Sequence, residues 1–229
     1  VQARTVCITH AHLDHFGGVA RHGYIRGMTG MPVPNYVIPT WMEKATHQTF
    51  EFWSDVQEAR KAPYNVVLAK QGADVQVGKG RFVRAFKTIH RVRSQGYVLY
   101  EVRKRLKPKF EGTPGHELGR MRREGIEFED IFEVPLFTFT GDTEARVIDV
   151  MPKRALQSKV VAIECTFLGD VTVAEAERKG HVHIDQLAAR ADAFAEVGNV
   201  MLYHFSKRYS NGDIEAAITF TGFTAAEQT

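Results

Sequence analysis

The sequence predicts an α/β domain built as a compact layered sandwich. Three observations lead there. The 229 residues, 44% of them apolar, are enough to bury one sizeable core, so a single domain over residues 1–229 is expected. Short buried strands recur between amphipathic helical segments. Strand after strand ends at an ionisable residue: His10, His90, Asp142, Glu164 and His204. Packing does not demand such endings, whereas α/β sandwiches carry their sites on strand ends and the loops that follow.

Thr5 to Thr9 reads as a short buried strand that runs into a histidine cluster. Residues 27–39, rich in Gly and Pro, read as a loop. Met42, Ala45, Phe52, Trp53, Val56 and Ala59 recur at roughly helical spacing, and that helix is stopped before Pro63. Strands are expected at 66–69, 75–77, 82–89, 97–102, 136–140, 160–163 and 200–203. An amphipathic helix is expected from Ile184 through Ala195 with Gly198 as its C-terminal cap. A last helix runs through Ile214 and Ile218, capped by Ser210 or Asn211.

Composition excludes some classes and weights others. No apolar run is long enough to span a bilayer. Val1-Gln2-Ala3-Arg4 does not read as a signal peptide. Cys7 and Cys165 sit in separate apolar runs without a CxxC partner, which reads as buried free thiols in a reducing cytoplasm. The net charge of +3 is unevenly spread. Residues 91–123 hold ten Lys/Arg against three acids, a net +7, which leaves −4 on the rest. One concentrated basic segment on a mildly acidic body fits either a polyanion footprint or a solvated surface hairpin.

The chemistry is concentrated in His10-Ala11-His12-Leu13-Asp14-His15. Four ligand-type side chains within six residues, after a strand and before Gly17-Gly18, can be aimed at one small volume. Imidazole suits zinc, manganese and iron, and a carboxylate adds a harder oxygen ligand. His22, His47 and His116 have no such neighbours and read as ordinary.

Further segments extend the pattern in order along the chain: 88–97 (Thr-Ile-His-Arg-Val-Arg-Ser-Gln-Gly-Tyr), 139–143 (Phe-Thr-Gly-Asp-Thr), 164–168 (Glu-Cys-Thr-Phe-Leu), 180–183 (Gly-His-Val-His) and 204–209 (His-Phe-Ser-Lys-Arg-Tyr). With the histidine cluster, these resemble the metallo-β-lactamase superfamily, and within it short-form ribonuclease Z, the tRNA 3′-processing endonuclease. The resemblance covers about residues 5 to 218. It implies an αββα sandwich of two mixed β-sheets flanked by helices. It also implies about two strands and a Gly-rich turn ahead of the histidine cluster, which this chain reaches after nine residues. The N-terminal strands are therefore expected to be missing from it, because a segment is omitted or the domain is truncated.

The resemblance implies two divalent metal ions, with zinc expected and manganese or iron compatible. His10, His12, His90 and Asp142 would hold one, and Asp14, His15, Asp142 and His204 the other, with Asp142 bridging. Such a pair acidifies a shared water and clamps the phosphate oxygens of an in-line displacement. Asp14, His183 and Glu164 are the implied catalytic residues. His183 is preferred over His181 as general acid because it directly precedes a helix, and Glu164 is the expected partner fixing its tautomer. Ser206, Arg208 and Tyr209 are implied substrate contacts. The basic segment around 103–123 corresponds to the base of a short substrate-binding arm. Precursor tRNA is the implied partner, recognised by shape and phosphate charge, and a homodimer is expected.

Three functions follow from these residues. The leading one is an endonuclease that removes 3′ trailers from tRNA precursors. The second is a hydrolase of small phosphodiesters or sulfate esters on the same site. The third, a non-catalytic nucleic-acid-binding relic, is disfavoured by seven intact ligand positions, since a dead site is free to lose them.

Overall fold

The computed structural model describes residues 1–221; the last eight residues of the expected 1–229 domain lie outside that range. The strands form two sheets. Strands β1 (Thr5–Cys7), β2 (Asn35–Pro39) and β3 (Asn65–Ala69) make a parallel three-stranded sheet in that order. The second sheet has the order β4 (Asp74–Gly78), β5 (Arg81–Lys87), β6 (Gln95–Leu106), β7 (Glu129–Phe139), β8 (Val160–Glu164) and β9 (Asn199–Tyr203). Its first four strands meander antiparallel, while β7, β8 and β9 run parallel. The sheet is therefore mixed.

Alternation along the strands assembles four layers. Val37 and Ala69 point from the small sheet against Val75, Val83, Ala85 and Tyr97 of the large one. Tyr36 and Ile38, one residue out of phase with Val37, face the other way. They pack with Val19 of helix α2 (Gly18–Met28) and Phe50 of helix α3 (Glu43–Val56). Beyond the large sheet, Val161 and Ile163 pack with Val147 of α5 (Val147–Val150) and Leu187 of α7 (Ile184–Ala188); Ile214 of α8 (Asn211–Thr221) joins them. The result is the expected αββα sandwich. Tyr97 Oη donates to the Ile8 carbonyl at 2.7 Å and so ties the two sheets together beside the histidine cluster.

The structure corrects three readings of local structure. Residues 27–39 are not one loop, because α2 runs to Met28 and β2 occupies 35–39. A parallel strand covered on both faces lacks polar alternation, and its flanking prolines mimic loop composition. The helix expected over 184–195 stops at Ala188 and resumes as a 3₁₀ turn at Ala191–Phe194, with Arg190 at φ −119° between them. Gly198 lies beyond both and caps neither. Ser210 does cap α8, its Oγ accepting from Asp213 N at 3.3 Å.

The basic segment also changes character in space. Strand β5 pairs with β6 only from Gln95 to Glu101, with Val102 N donating to Gly80 O at 2.8 Å just beyond, so residues 103–106 and 129–132 pair with each other alone. They stand beyond the sheet as a hairpin carrying α4 (Gly115–Arg123), which buries none of its residues. Arg105 faces Asp130, Lys104 and Arg122 face Glu129, Arg120 faces Glu124 and Arg103 faces Glu101, all within 3.9 Å. The segment forms a projecting hairpin, and its return strand brings Glu129 and Asp130 alongside Lys104, Arg105 and Arg122, which reduces the net +7 read along the chain.

Candidate metal centre

Strand direction alone places the candidate site. Strands β5, β7, β8 and β9 all run the same way, so His90, Asp142, Glu164 and His204 emerge at one edge of the large sheet. The other sheet joins at that edge where Gln95 N donates to Thr9 O at 3.1 Å. Close contact completes the approach. Gly141 has φ +65°, and a Cβ there would sit 2.8 Å from Thr9 Cβ. Glycine thus lets the Thr140–Asp142 turn press against the residue beside His10.

Seven of the side chains singled out in the sequence meet there. The Oδ2 atom of Asp142 lies 3.3 Å from His15 Nε2, 3.4 Å from His204 Nε2 and 3.9 Å from His10 Nε2. His12 Nδ1 lies 3.0 Å from His10 Nε2 and 3.4 Å from His90 Nε2. Asp14, on the single-turn helix α1 (Leu13–Phe16), reaches His15 at 3.5 Å. Two ligand groups result, His10/His12/His90/Asp142 and Asp14/His15/His204.

Hydrogen bonds behind the rings aim their free nitrogens inward. His90 Nδ1–H donates to the Gly180 carbonyl at 2.8 Å, so its Nε2 is a bare acceptor. That carbonyl is presented by a left-handed cap at φ +76°, where a Cβ would meet Arg91 Cγ at 2.7 Å. His10 Nδ1 lies 3.0 Å from Thr9 Oγ1. Thr166 Oγ1 donates to Glu164 Oε2 at 2.6 Å and so accepts from His204 Nδ1–H at 2.8 Å, which leaves His204 Nε2 free as well. His204 itself sits at φ +65°, a strained conformation for a residue with a Cβ, held directly after β9.

The donor set fits divalent cations. Acceptor nitrogens 3.0–3.4 Å apart repel unless a proton or cation lies among them. The buried Asp142 Oδ1 has no hydrogen-bond partner among the described residues, an unmet acceptor where one is costly. Burial opposes the charge on Asp142, but His15, His204 and His10 outweigh it and hold the carboxyl at about 2. Burial drives His10 down to about 4, toward the neutral form that ligates. This edge of the sandwich binds divalent metal.

Glu164 is fully buried and serves the site, but not through His183. Its Oε1 accepts from His181 Nδ1 at 2.7 Å, and its Oε2 takes Thr166 Oγ1 and Val182 N. His181 is half-exposed, and with Asp142 and His204 it completes a third group of ligand spacing. His183 is only 1% exposed. Its Nε2 donates to the Leu168 carbonyl at 2.7 Å, and its Nδ1 accepts from Asp185 N as the N-cap of α7. The preference for His183 over His181 is therefore corrected. The position directly ahead of a helix, which made His183 attractive, is the position a cap occupies. Of the implied substrate contacts, Arg208 and Tyr209 both engage Asp170, Tyr209 Oη also accepts from Leu168 N at 3.1 Å, and Ser206 N donates to Thr166 O. Thr166 was not singled out in the sequence, although two-residue spacing from Glu164 at a strand end was the signal for it.

A parallel and a mixed sheet packed face to face between helices, with this ligand set at one edge, define a metallo-β-lactamase-fold, metal-dependent hydrolase. No family model matches the chain. It is 35% identical over 214 residues to tRNase Z TRZ1 of Arabidopsis thaliana, covering 93% of this chain and 76% of that one. It is 31% identical to a ribonuclease Z of Streptomyces avermitilis, covering 91% and 71%. The chloroplastic tRNase Z TRZ2 of Arabidopsis thaliana is 32% identical, and 62% of its length is covered. Among solved structures, human short-form tRNase Z superposes with a TM-score of 0.59 at 16% identity, over 90% of this chain and 73% of that one. Zinc-bound PqqB from Methylobacterium extorquens gives 0.60 at 14%, over 96% and 69%. The chain belongs to the ribonuclease Z (tRNase Z) family.

Proposed function

We propose that the protein is a ribonuclease Z-like endoribonuclease that cuts tRNA precursors on the 3′ side and leaves a 3′-hydroxyl on the tRNA. The observation that carries this reading is the convergence of His10, His12, Asp14, His15, His90, Asp142 and His204 on one edge of the sandwich in a chain of this family. His10, His12, His90 and Asp142 would hold one ion and Asp14, His15 and His204 a second, zinc by preference. When bound, such ions polarise phosphate oxygens and acidify a water.

The protein's own groups do the rest. Asp142 and the imidazoles fix the geometry. Burial opposes charge on His181, but the hydrogen bond from its Nδ1–H to Glu164 Oε1 outweighs that and favours the imidazolium, whose Nε2–H can pass its proton to the leaving oxygen. Asp14, the exposed ligand, sits where a substrate phosphate enters. Ser206, Arg208 and Tyr209 border the same edge and contact substrate, Arg208 by leaving Asp170 for a phosphate.

The proposal extends to one domain over 1–229, to a homodimer, and to a cytoplasmic setting in keeping with the free thiols of Cys7 and Cys165. No helix among the described residues is long and apolar enough to cross a membrane. The alternative, a hydrolase of small phosphodiesters or sulfate esters, uses the same residues. Metal analysis and cleavage of a precursor tRNA beside bis(p-nitrophenyl) phosphate, on one preparation, separate the two. Small-ester turnover without RNA cleavage overturns the endonuclease reading.

A further inference from the structure

A groove of about 1000 Å³ adjoins the ligand cluster at His90, which forms part of its lining. Thr40, Trp41, Lys70, Gln71 and the stretch from Lys87 to Ser94 line it, with Arg146 at its edge. Five of its lining residues are cations (Lys70, Lys87, Arg91, Arg93 and Arg146) and none is an acid. Arg146 is held by Glu144. The other four are exposed and make no ion pair among the described residues.

That is the reverse of the β6–β7 arm, where Arg103, Lys104, Arg105, Arg120 and Arg122 all face carboxylates. Sequence alone puts the positive charge on the arm, whereas in space five of the arm's cations stand beside carboxylates, with Lys107, Lys109 and Arg123 the exceptions among the described ion pairs, and the groove gathers four unpaired cations with no acid in its lining. A paired cation gains little from a phosphate, because it must first give up its carboxylate. An unpaired one gains the full contact and releases counterions.

The groove also holds a flat surface. The Arg93 guanidinium lies over the Trp41 indole, 4.5 Å from its centroid. A stacked cation and aromatic ring give a planar face that accepts any base. Unpaired cations along a channel and one stacking platform are the two elements of sequence-tolerant single-strand binding. A duplex presents its bases edge-on and could not use the platform.

We propose that this groove binds single-stranded RNA adjoining the scissile phosphate, with Lys70, Lys87 and Arg91 on the backbone and one base stacked on the Arg93–Trp41 pair. This deepens the endonuclease reading and rests on it for the position of the cut. The groove itself is tested without cleavage.

The protein has two tryptophans, Trp41 and Trp53. In a Trp53→Phe background, titration with a 12-nucleotide unstructured RNA should quench Trp41 emission. Lys70→Glu/Lys87→Glu should weaken that binding at least ~10-fold and lower the magnitude of its log–log salt slope by about 1.4, at roughly 0.7 per phosphate contact. The same variant should keep wild-type metal content and bis(p-nitrophenyl) phosphate turnover while its KM for precursor RNA rises. Absence of quenching, or unchanged affinity and slope in the double variant, overturns the proposal. So does loss of binding only on reversing Arg103, Lys104 and Arg105, which assigns the strand to the arm. Quenching with no precursor cleavage by the wild type leaves the groove standing and sinks the endonuclease reading alone.

Discussion

Glu164 Oε1 accepts from His181 Nδ1 at 2.7 Å, and this one bond separates His181 from His183, the histidine that the sequence favoured. His181→Ala should keep both metals and the melting temperature but lose ~10²–10⁴ in turnover, the usual size of general acid catalysis. His183→Ala should instead lower stability, by about 1 kcal/mol for the cap and more for the buried space it leaves. Metal analysis, melting curves and kcat on the two variants check the assignment. A stable, inactive His183→Ala would reverse it.

Among the described residues, Asp142 is the one carboxylate within 4 Å of three ring nitrogens, those of His10, His15 and His204. Asp142→Asn keeps the shape and removes the charge. It should cut bound metal to one equivalent or none and abolish activity, read by mass spectrometry of the native protein. Full metal content in this variant would remove Asp142 from the ligand set.

The hydrogen bond from Thr166 Oγ1 to Glu164 leaves that oxygen an acceptor for His204 Nδ1–H. Thr166→Val removes the acceptor and frees the ring to turn. The expected cost is roughly 10–100-fold in affinity for the metal that His204 holds, as for other groups behind a ligand. Competition with a chelator measures it, and Thr166→Ser should restore most of the loss.

Burial pushes the Cys7 thiol up to about 12 and raises Cys165 as well. At pH 8 both are protonated, so neither should react with a thiol reagent in the folded protein. Adding denaturant should release two reactive thiols. Fast labelling of the native protein would contradict the packing around them.

The Arg84 guanidinium donates twice to Asp74, at 2.6 and 2.9 Å, and holds its carboxyl below the ordinary value. A depressed folded pKa means that this contribution is complete above the usual aspartate range and fades as pH falls through the folded value. The melting temperature of Arg84→Gln should therefore fall less steeply between pH 5 and 3 than that of the wild type. Parallel curves would show the pair contributes nothing.

Much of the fold and site was legible in the chain. Strand β8 lies within one residue of its expected bounds at either end, because Val-Val-Ala-Ile is an uninterrupted apolar run between polar residues. The histidine cluster was legible because ligand types at that spacing have no packing rationale. Strand β2 was not, since local composition says loop and only the two layers covering it make it a strand. The continuous helix over 184–195 was wrong for a related reason. Its apolar spacing persists through the 3₁₀ turn, where Phe194 still faces the core.

The sequence by itself determined which residue types end the strands, and hence that seven imidazoles and carboxylates stood ready for metal. Covalent spacing and apolar periodicity are local, and they can be read one segment at a time. Tertiary structure alone set the surroundings that distinguish His181 from His183 and the cations of the arm from those of the groove. Both distinctions turn on which carboxylate arrives alongside: Glu164 beside His181, and Glu129 and Asp130 beside the arm's cations. Those partners are brought together by strand pairing across distances that no local pattern encodes.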